Sequence, residues 1–170
     1  MTHNLLAPTT DYYGIFADID SSDEKWWATA RDFGTVCLDV INDDWEAGRT
    51  NPDLVRALGE RDLFTDGLEI PGHEVMSPLA AGLVALEISR ADGSMGAVAA
   101  VQGGLVMRSI MLYGSQTQQE TYIEKLARGE IFGAFGLTEP NHGSDAVALE
   151  TTAVRDGDDY VLNGQKRWIG

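Results

Sequence analysis

Residues 135–145 concentrate groups that could bind a ligand: Phe135-Gly136-Leu137-Thr138-Glu139-Pro140-Asn141-His142-Gly143-Ser144-Asp145. Gly136 and Gly143 carry no side chain, so a planar or phosphate-bearing molecule can approach the backbone there. Free N–H groups and the Ser144 hydroxyl can then donate to phosphate or carbonyl oxygens. The same residues also suit an ordinary turn capped by Asn, Ser and Asp. The stretch is neither a P-loop nor a G-x-G-x-x-G motif. Residue types and spacing therefore leave two readings open, a ligand loop and a structural turn.

Other chemistry-bearing residues are sparse. The three histidines, His3, His73 and His142, and the one cysteine, Cys37, are scattered, and nothing has metal-ligand spacing. Cys37 lies at an apolar helical position and reads as a small buried hydrophobe. Glu87 sits on an otherwise apolar helix, three residues before Arg90, so it either faces a pocket, faces solvent or pairs with that arginine. The acidic run Asp156-Gly157-Asp158-Asp159 reads as a hairpin tip, since a Ca²⁺ loop needs more ligands at regular spacing. Trp26, Trp27 and Trp45 read as core or interface aromatics.

The elements that position these residues change character near residue 130, where helical periodicity gives way to alternation. Ser21-Ser22-Asp23-Glu24 reads as a capping box for a first helix, with Trp26, Ala30, Phe33, Cys37, Val40 and Ile41 on one face, ended by Gly48. Asn51-Pro52 opens a short second helix bearing Leu54, Val55 and Leu58. Residues 59–77 read as a long connection. Ser77-Pro78 starts a third helix with Leu79, Leu83 and Leu86 inward. Asp92-Gly93-Ser94 breaks it, and Met95–Tyr113 follows with Val98, Val101, Leu105 and Leu112 at helical spacing. Gly114 stops that helix, and Ser115 with Gln118 caps another that carries Tyr122, Ile123 and Leu126. Strands are expected at 131–137, 147–155, 160–162 and 165–169. Asn163-Gly164 acts as a two-residue hairpin signal. The fold class is mainly α: a helical domain at 1–130 followed by an incomplete antiparallel β domain at 131–170. A sheet that stops within its fourth strand leaves Trp168 and Ile169 without cover.

The chain has 170 residues, 44% hydrophobic, with 12 Lys and Arg against 27 Asp and Glu, a net charge of −15. That sign argues against nucleic-acid and anionic-membrane partners on electrostatic grounds and leaves room for a local basic pocket. Residues 1–11 have no basic run and no long apolar run, so no secretory signal is expected, and the apolar runs are interrupted by glycine and charge, so no membrane span is expected. A single cysteine fits a reducing compartment, and the cytoplasm is expected, with an organellar matrix or peroxisome as alternatives.

Two stretches carry a resemblance to a known family. Phe135–Asp145 resembles the flavin-binding signature of the acyl-CoA dehydrogenases, and Gly164-Gln165-Lys166-Arg167-Trp168-Ile169 resembles their second flavin motif. Leu126-Ala127-Arg128-Gly129-Glu130 and Leu149-Glu150-Thr151-Thr152-Ala153 match in the right order. The wording of the signature is most similar to the glutaryl-CoA dehydrogenase branch, as is Leu105-Val106-Met107 after Val101-Gln102. The resemblance covers essentially the whole chain.

It implies a homotetrameric FAD enzyme acting on an acyl-CoA, with electron-transfer flavoprotein or oxygen as acceptor. Leu137 and Thr138 would meet the flavin ring, and Ser144 the FAD pyrophosphate and the CoA moiety. Trp168 and Ile169 would line the flavin, and Phe135, Gly136, Gly143 and Gly170 complete the cofactor set. Glu87, Gly96 and Ala97 are the substrate-side candidates. No residue of the chain matches the motif of the catalytic carboxylate, which is expected beyond Gly170, so the isolated chain is expected to be inactive and to bind FAD weakly or not at all. Met95-Gly96-Ala97 stands where the glutaryl branch has Tyr-Arg-Ser. The arginine that would hold a distal carboxylate is thus replaced by Gly96, and a neutral short or branched acyl group is expected. Gly170 follows Trp168-Ile169 where threonine is usual, a change shared with oxidase-like relatives. An acyl-CoA oxidase and a non-catalytic CoA-binding or dimerisation module are the alternative readings.

Overall fold

The structure is a computed structural model that describes residues 13–14 and 16–169. The chain forms two compact units that divide between Gly133 and Ala134.

The first unit is helical. Helix α1 spans Ser21–Glu46, α2 Pro52–Gly59, α3 Pro78–Ala91, α4 Gly93–Tyr113 and α5 Gln116–Ala127. Local chemistry accounts for most boundaries. The Asn51 side chain accepts from Asp53 N–H with Pro52 in the first turn, and the Ser77 hydroxyl accepts from Ala80 N–H. Ser115 and Gln118 form a reciprocal capping box on α5. At α1 the expected box does not form: Asp20 takes the cap position and makes no side-chain cap bond. Nearby Asp23 is buried and accepts from the Ser77 hydroxyl at 2.7 Å, so the polar group at this end ties α1 to α3.

The core lies between α1, α2, α3, α4, α5 and the 60–77 connection, around Phe33, Phe64, Leu58, Ile88 and Met107. Cys37 is fully buried within it, and desolvation, with Asp92 second, pushes its thiol up to about 11. On α3 the inward residues are Ala80, Leu83, Val84, Glu87 and Ile88, whereas Leu79 and Leu86 are exposed. Val40, Leu105, Leu112 and Tyr122 are likewise exposed rather than inward.

Helix α4 departs from regular geometry at a π-helical segment, Ala100–Met107. Its wider i→i+5 turns place Gln102, Gly103, Val106 and Met107 inward. That explains why an α-helical reading misplaced Leu105 and Leu112. A window of α4 has mean hydropathy 1.4, enough by length and composition to cross a bilayer. Its glycines do not interrupt it as the sequence reading expected.

The second unit holds a two-stranded antiparallel ladder, β1 Thr152–Asp156 with β2 Asp159–Asn163. Thr152 pairs with Asn163 and Asp156 with Asp159, so Gly157 and Asp158 alone form the turn. Gly157 has φ 63° while Asp158 keeps negative φ, as a type II′ turn requires.

Among the described residues the other expected strands do not form, because side chains occupy backbone groups that a ladder would use. Gln102 takes Ile131 O and Gly133 N, Lys166 takes Leu137 O, and Glu139 takes the N–H groups of Glu150 and Thr151. Asn163-Gly164 does not turn a hairpin. Gly164 lies against Thr151, where any Cβ would overlap the threonine side chain.

Candidate functional site

The signature segment is organised by a tight turn and one buried carboxylate. Glu139 N–H donates to His142 O at 3.0 Å, and His142 N–H returns to Glu139 O at 3.3 Å. Pro140 and Asn141 therefore occupy the centre of a β-turn, with proline at its favoured position. The Glu139 side chain turns inward and is 3% exposed. Its carboxylate accepts from Glu150 N–H at 2.6 Å, Thr151 N–H at 3.0 Å and the Lys166 ammonium at 2.9 Å. The ammonium also donates to Leu137 O at 3.0 Å. Beside it, Arg167 N–H donates to Thr138 O at 2.8 Å. Residues 137–139 and 166–167, read from sequence as parts of two separate motifs, thus lie side by side.

What this arrangement leaves available is as informative as what it pairs. Leu137 and Thr138 are half-buried, with both carbonyls taken. Among the described residues their N–H groups, the Thr138 hydroxyl and the Ser144 hydroxyl have no partner. A Cβ at Gly143 would meet nothing within 4 Å, and one at Gly136 only Lys166 Cγ at 3.7 Å, so protein packing requires neither glycine. Phe135 and Ile169 are partly exposed, and Trp168 is 79% exposed. Trp168 also adopts φ 62°, a left-handed conformation that is costly for a bulky residue. The Arg167 guanidinium stacks 4.4 Å from its ring centroid. Unpartnered donors beside an exposed aromatic ring fit a flat ligand rich in acceptor oxygens, as an isoalloxazine with a pyrophosphate is. Gly170 lies outside the described residues.

The substrate-side candidates all lie in the helical unit. Glu87 is 1% exposed and is not solvent-facing. It accepts from Trp27 Nε1 at 2.8 Å, Arg31 Nε at 3.2 Å and Arg90 Nε at 2.8 Å. These partners occupy its carboxylate as a buried tie between α1 and α3. Gly96, near the start of α4, packs so closely on Ser89 of α3 that a Cβ there would overlap the serine side chain. Ala97 is exposed. A cavity of about 150 Å³ lies between α3, α4 and the 60–77 connection, bounded by Gly96, Ala100, Gly104, Val84, Ile88 and Met76. Small residues on α4 open this space.

Two residues were missed in the sequence. Glu139 and Lys166 look like exposed charges in a turn and an alternating strand. Their pairing across 27 positions leaves no local signal.

The acyl-CoA dehydrogenase N-terminal domain profile matches residues 21–130, and the profile of the same family's middle domain matches residues 134–170. The mitochondrial short-chain specific acyl-CoA dehydrogenase of Mus musculus is 43% identical over 145 residues, 83% of this chain and 35% of that protein. The mitochondrial isovaleryl-CoA dehydrogenase of Bos taurus is 45% identical over 87 residues, 51% of this chain and 20% of that protein. A crystal structure of a glutaryl-CoA dehydrogenase from Mycobacterium smegmatis in complex with FADH2 superposes with a TM-score of 0.89 at 30% identity, covering 96% of this chain and 43% of the other. The chain spans well under half the length of each of these relatives.

Proposed function

Because the chain belongs to the acyl-CoA dehydrogenase family, we propose that it forms the amino-terminal, flavin-facing part of an FAD-dependent enzyme that dehydrogenates a short or branched acyl-CoA thioester. The observation that carries this reading is the Arg167 N–H to Thr138 O bond, which sets the two flavin-motif segments side by side. On this reading the helical domain is 1–130 and the β domain starts at 131.

FAD, when bound, supplies the electron acceptor for the α,β-oxidation. The chain's own residues bind and orient. Leu137 and Thr138 offer N–H groups and a hydroxyl to the ring's polar edge. Ser144 offers its hydroxyl to phosphate, and Gly143 leaves room for it. Trp168 and Ile169 cover the ring, with Phe135 and Gly136 at the margin. No residue of the chain is assigned as the base.

A neutral acyl group is supported by Gly96, which brings no cation to α4, and by the small-residue lining of the cavity beside it. The remaining parts of the reading are an electron-transfer flavoprotein as acceptor, a homo-oligomeric enzyme and a reducing compartment, the cytoplasm first. The buried Cys37 fits the last of these.

The test is a titration of the purified chain with FAD, followed by Trp168 fluorescence. Saturable quenching is expected, with a dissociation constant weaker than ~1 μM, because the chain brings only part of the site. Trp26, Trp27 and Trp45 also fluoresce, so the quenching is assigned to Trp168 by its loss in Trp168→Ala, and FAD anisotropy reports binding by that variant. Ser144→Ala should weaken binding by about 1 kcal/mol, roughly fivefold, if its hydroxyl meets a phosphate. Absence of any FAD-dependent change up to solubility would mean that the pocket needs residues this chain does not supply, and an enzyme containing this chain that holds no flavin would overturn the flavin reading. For the acyl group, an enzyme containing this chain should turn over butyryl-CoA faster than glutaryl-CoA, and the reverse order would overturn the neutral-acyl assignment.

A further inference from the structure

Gln102 is a buried primary amide in the otherwise apolar segment Ala100–Met107, 2% exposed. A glutamine side chain has two donors and one acceptor group, and here each is used. Nε2 donates to Leu126 O at 2.9 Å and to Ile131 O at 2.8 Å, while Oε1 accepts from Gly133 N–H at 3.0 Å. Two carbonyls and one N–H permit only one orientation of the amide. The three partners are the last turn of α5 and two points on the segment that follows it.

The same segment is fitted to α4 sterically. A Cβ at Gly133 would overlap the Val106 side chain, one turn past Gln102. Val106 and Gln102 both lie in the π-helical segment Ala100–Met107 and both face inward. The other side of this segment holds the 60–77 connection. Gly103 abuts the Phe64 carbonyl, and Arg108 Nη2 donates to Asp66 O and Oδ2, each at 2.9 Å. The widened turns thus grip two irregular segments at once. Neither has a ladder of its own, so side chains supply the partners that backbone groups require when buried.

Gly133 is the last residue of the helical unit, and Phe135 opens the flavin signature two residues later. We propose that Gln102 is the positioning residue for this connector: its amide fixes the point from which the chain leaves the helical unit toward the flavin-binding signature. It touches neither substrate nor cofactor and acts through Ile131 and Gly133. The functional meaning rests on the flavin reading above, but the test is made on the connector itself, so either can fail without the other.

The experiment is hydrogen exchange of the full 170-residue chain and two variants, measured at pH 5 and pH 9 and corrected for intrinsic rates. Gln102→Leu removes all three bonds. Gln102→Glu keeps the acceptor for Gly133 but, when ionised, turns a charged oxygen toward two carbonyls. Burial among acceptors favours its protonated form, which regains one donor. In Gln102→Leu, exchange at residues 131–133 should rise at least tenfold at both pH values, with little change in α1 and α3. In Gln102→Glu the same rise should appear at pH 9 and shrink severalfold at pH 5. Unchanged protection at 131–133 in both variants would overturn the proposal. So would a uniform loss of protection across the helical unit in both, because Gln102 would then be core packing with no specific hold on the connector.

Discussion

The Glu139 carboxylate does the work of a neighbouring strand for residues 150 and 151, and it does so only while ionised. Thr151, then the Lys166 ammonium and the Glu150 amide hold its carboxyl at about 2, down from an ordinary 4.5, against a desolvation cost. The Thr151 hydroxyl is buried with no hydrogen-bond partner, so we ascribe that residue's influence to its N–H, which donates at 3.0 Å. A folded-state value below the unfolded one stabilises above the unfolded value and loses that stabilisation as pH falls through the folded one. The second unit should therefore loosen between about pH 4.5 and about pH 2. The fluorescence difference between the chain and its Trp168→Ala variant during acid titration reads this, and Glu139→Gln should flatten the transition in that window. An acid transition unaltered by Glu139→Gln would mean that the carboxylate does not hold the segment. Lys166→Met should destabilise more than Glu139→Gln at neutral pH, since it strands a buried charge.

At the scale of elements, two glycines in adjacent helices make opposite predictions. Gly103 in the π-helical segment has no room for a methyl group, because a Cβ would overlap the Phe64 carbonyl. Gly103→Ala should cost about 1–3 kcal/mol, the usual range for overpacking. Gly82 in α3 is exposed with nothing within 4 Å of an added Cβ. Gly82→Ala should stabilise by roughly 0.5–1 kcal/mol through helix propensity. Thermal unfolding by circular dichroism compares the two, and equal shifts would refute the packing account. Cap chemistry was legible in the sequence wherever it was purely local, as at Asn51, Ser77 and Ser115. It failed at Ser21, because the helix already includes that residue and Asp20 takes the cap position. The inward face of α4 was illegible because a 3.6-residue period is the wrong ruler across a π-helical stretch. Strands were over-read at 131–137 and 165–169, since alternation says nothing about whether a side chain will take the ladder's place.

For the molecule as a whole, the change of period places a boundary near residue 130, and the compact units divide after Gly133. The flavin-motif residues were named from resemblance, since their types and spacing alone point first to an ordinary turn. The Glu139–Lys166 tie that joins the two segments depends on the folded path of the second unit, which no local pattern encodes. The charge of −15 is unevenly matched to this framework. Arg31 and Arg90 are both committed to Glu87, while Arg128 and His73 serve Glu124 and lower its carboxyl, His73 first. The π-helical segment also changes how the chain tolerates gain and loss of residues over generations. An i→i+5 turn holds one residue more than an i→i+4 turn, and each residue of a regular helix turns the chain by about 100°. A one-residue deletion within Ala100–Met107 would tighten the helix and swing its two halves apart in phase. Either Gln102 would lose the connector or Arg108 would lose Asp66. The extra width is thus what lets both grips hold at once, and a chain one residue shorter here must hold one of these two segments by other means.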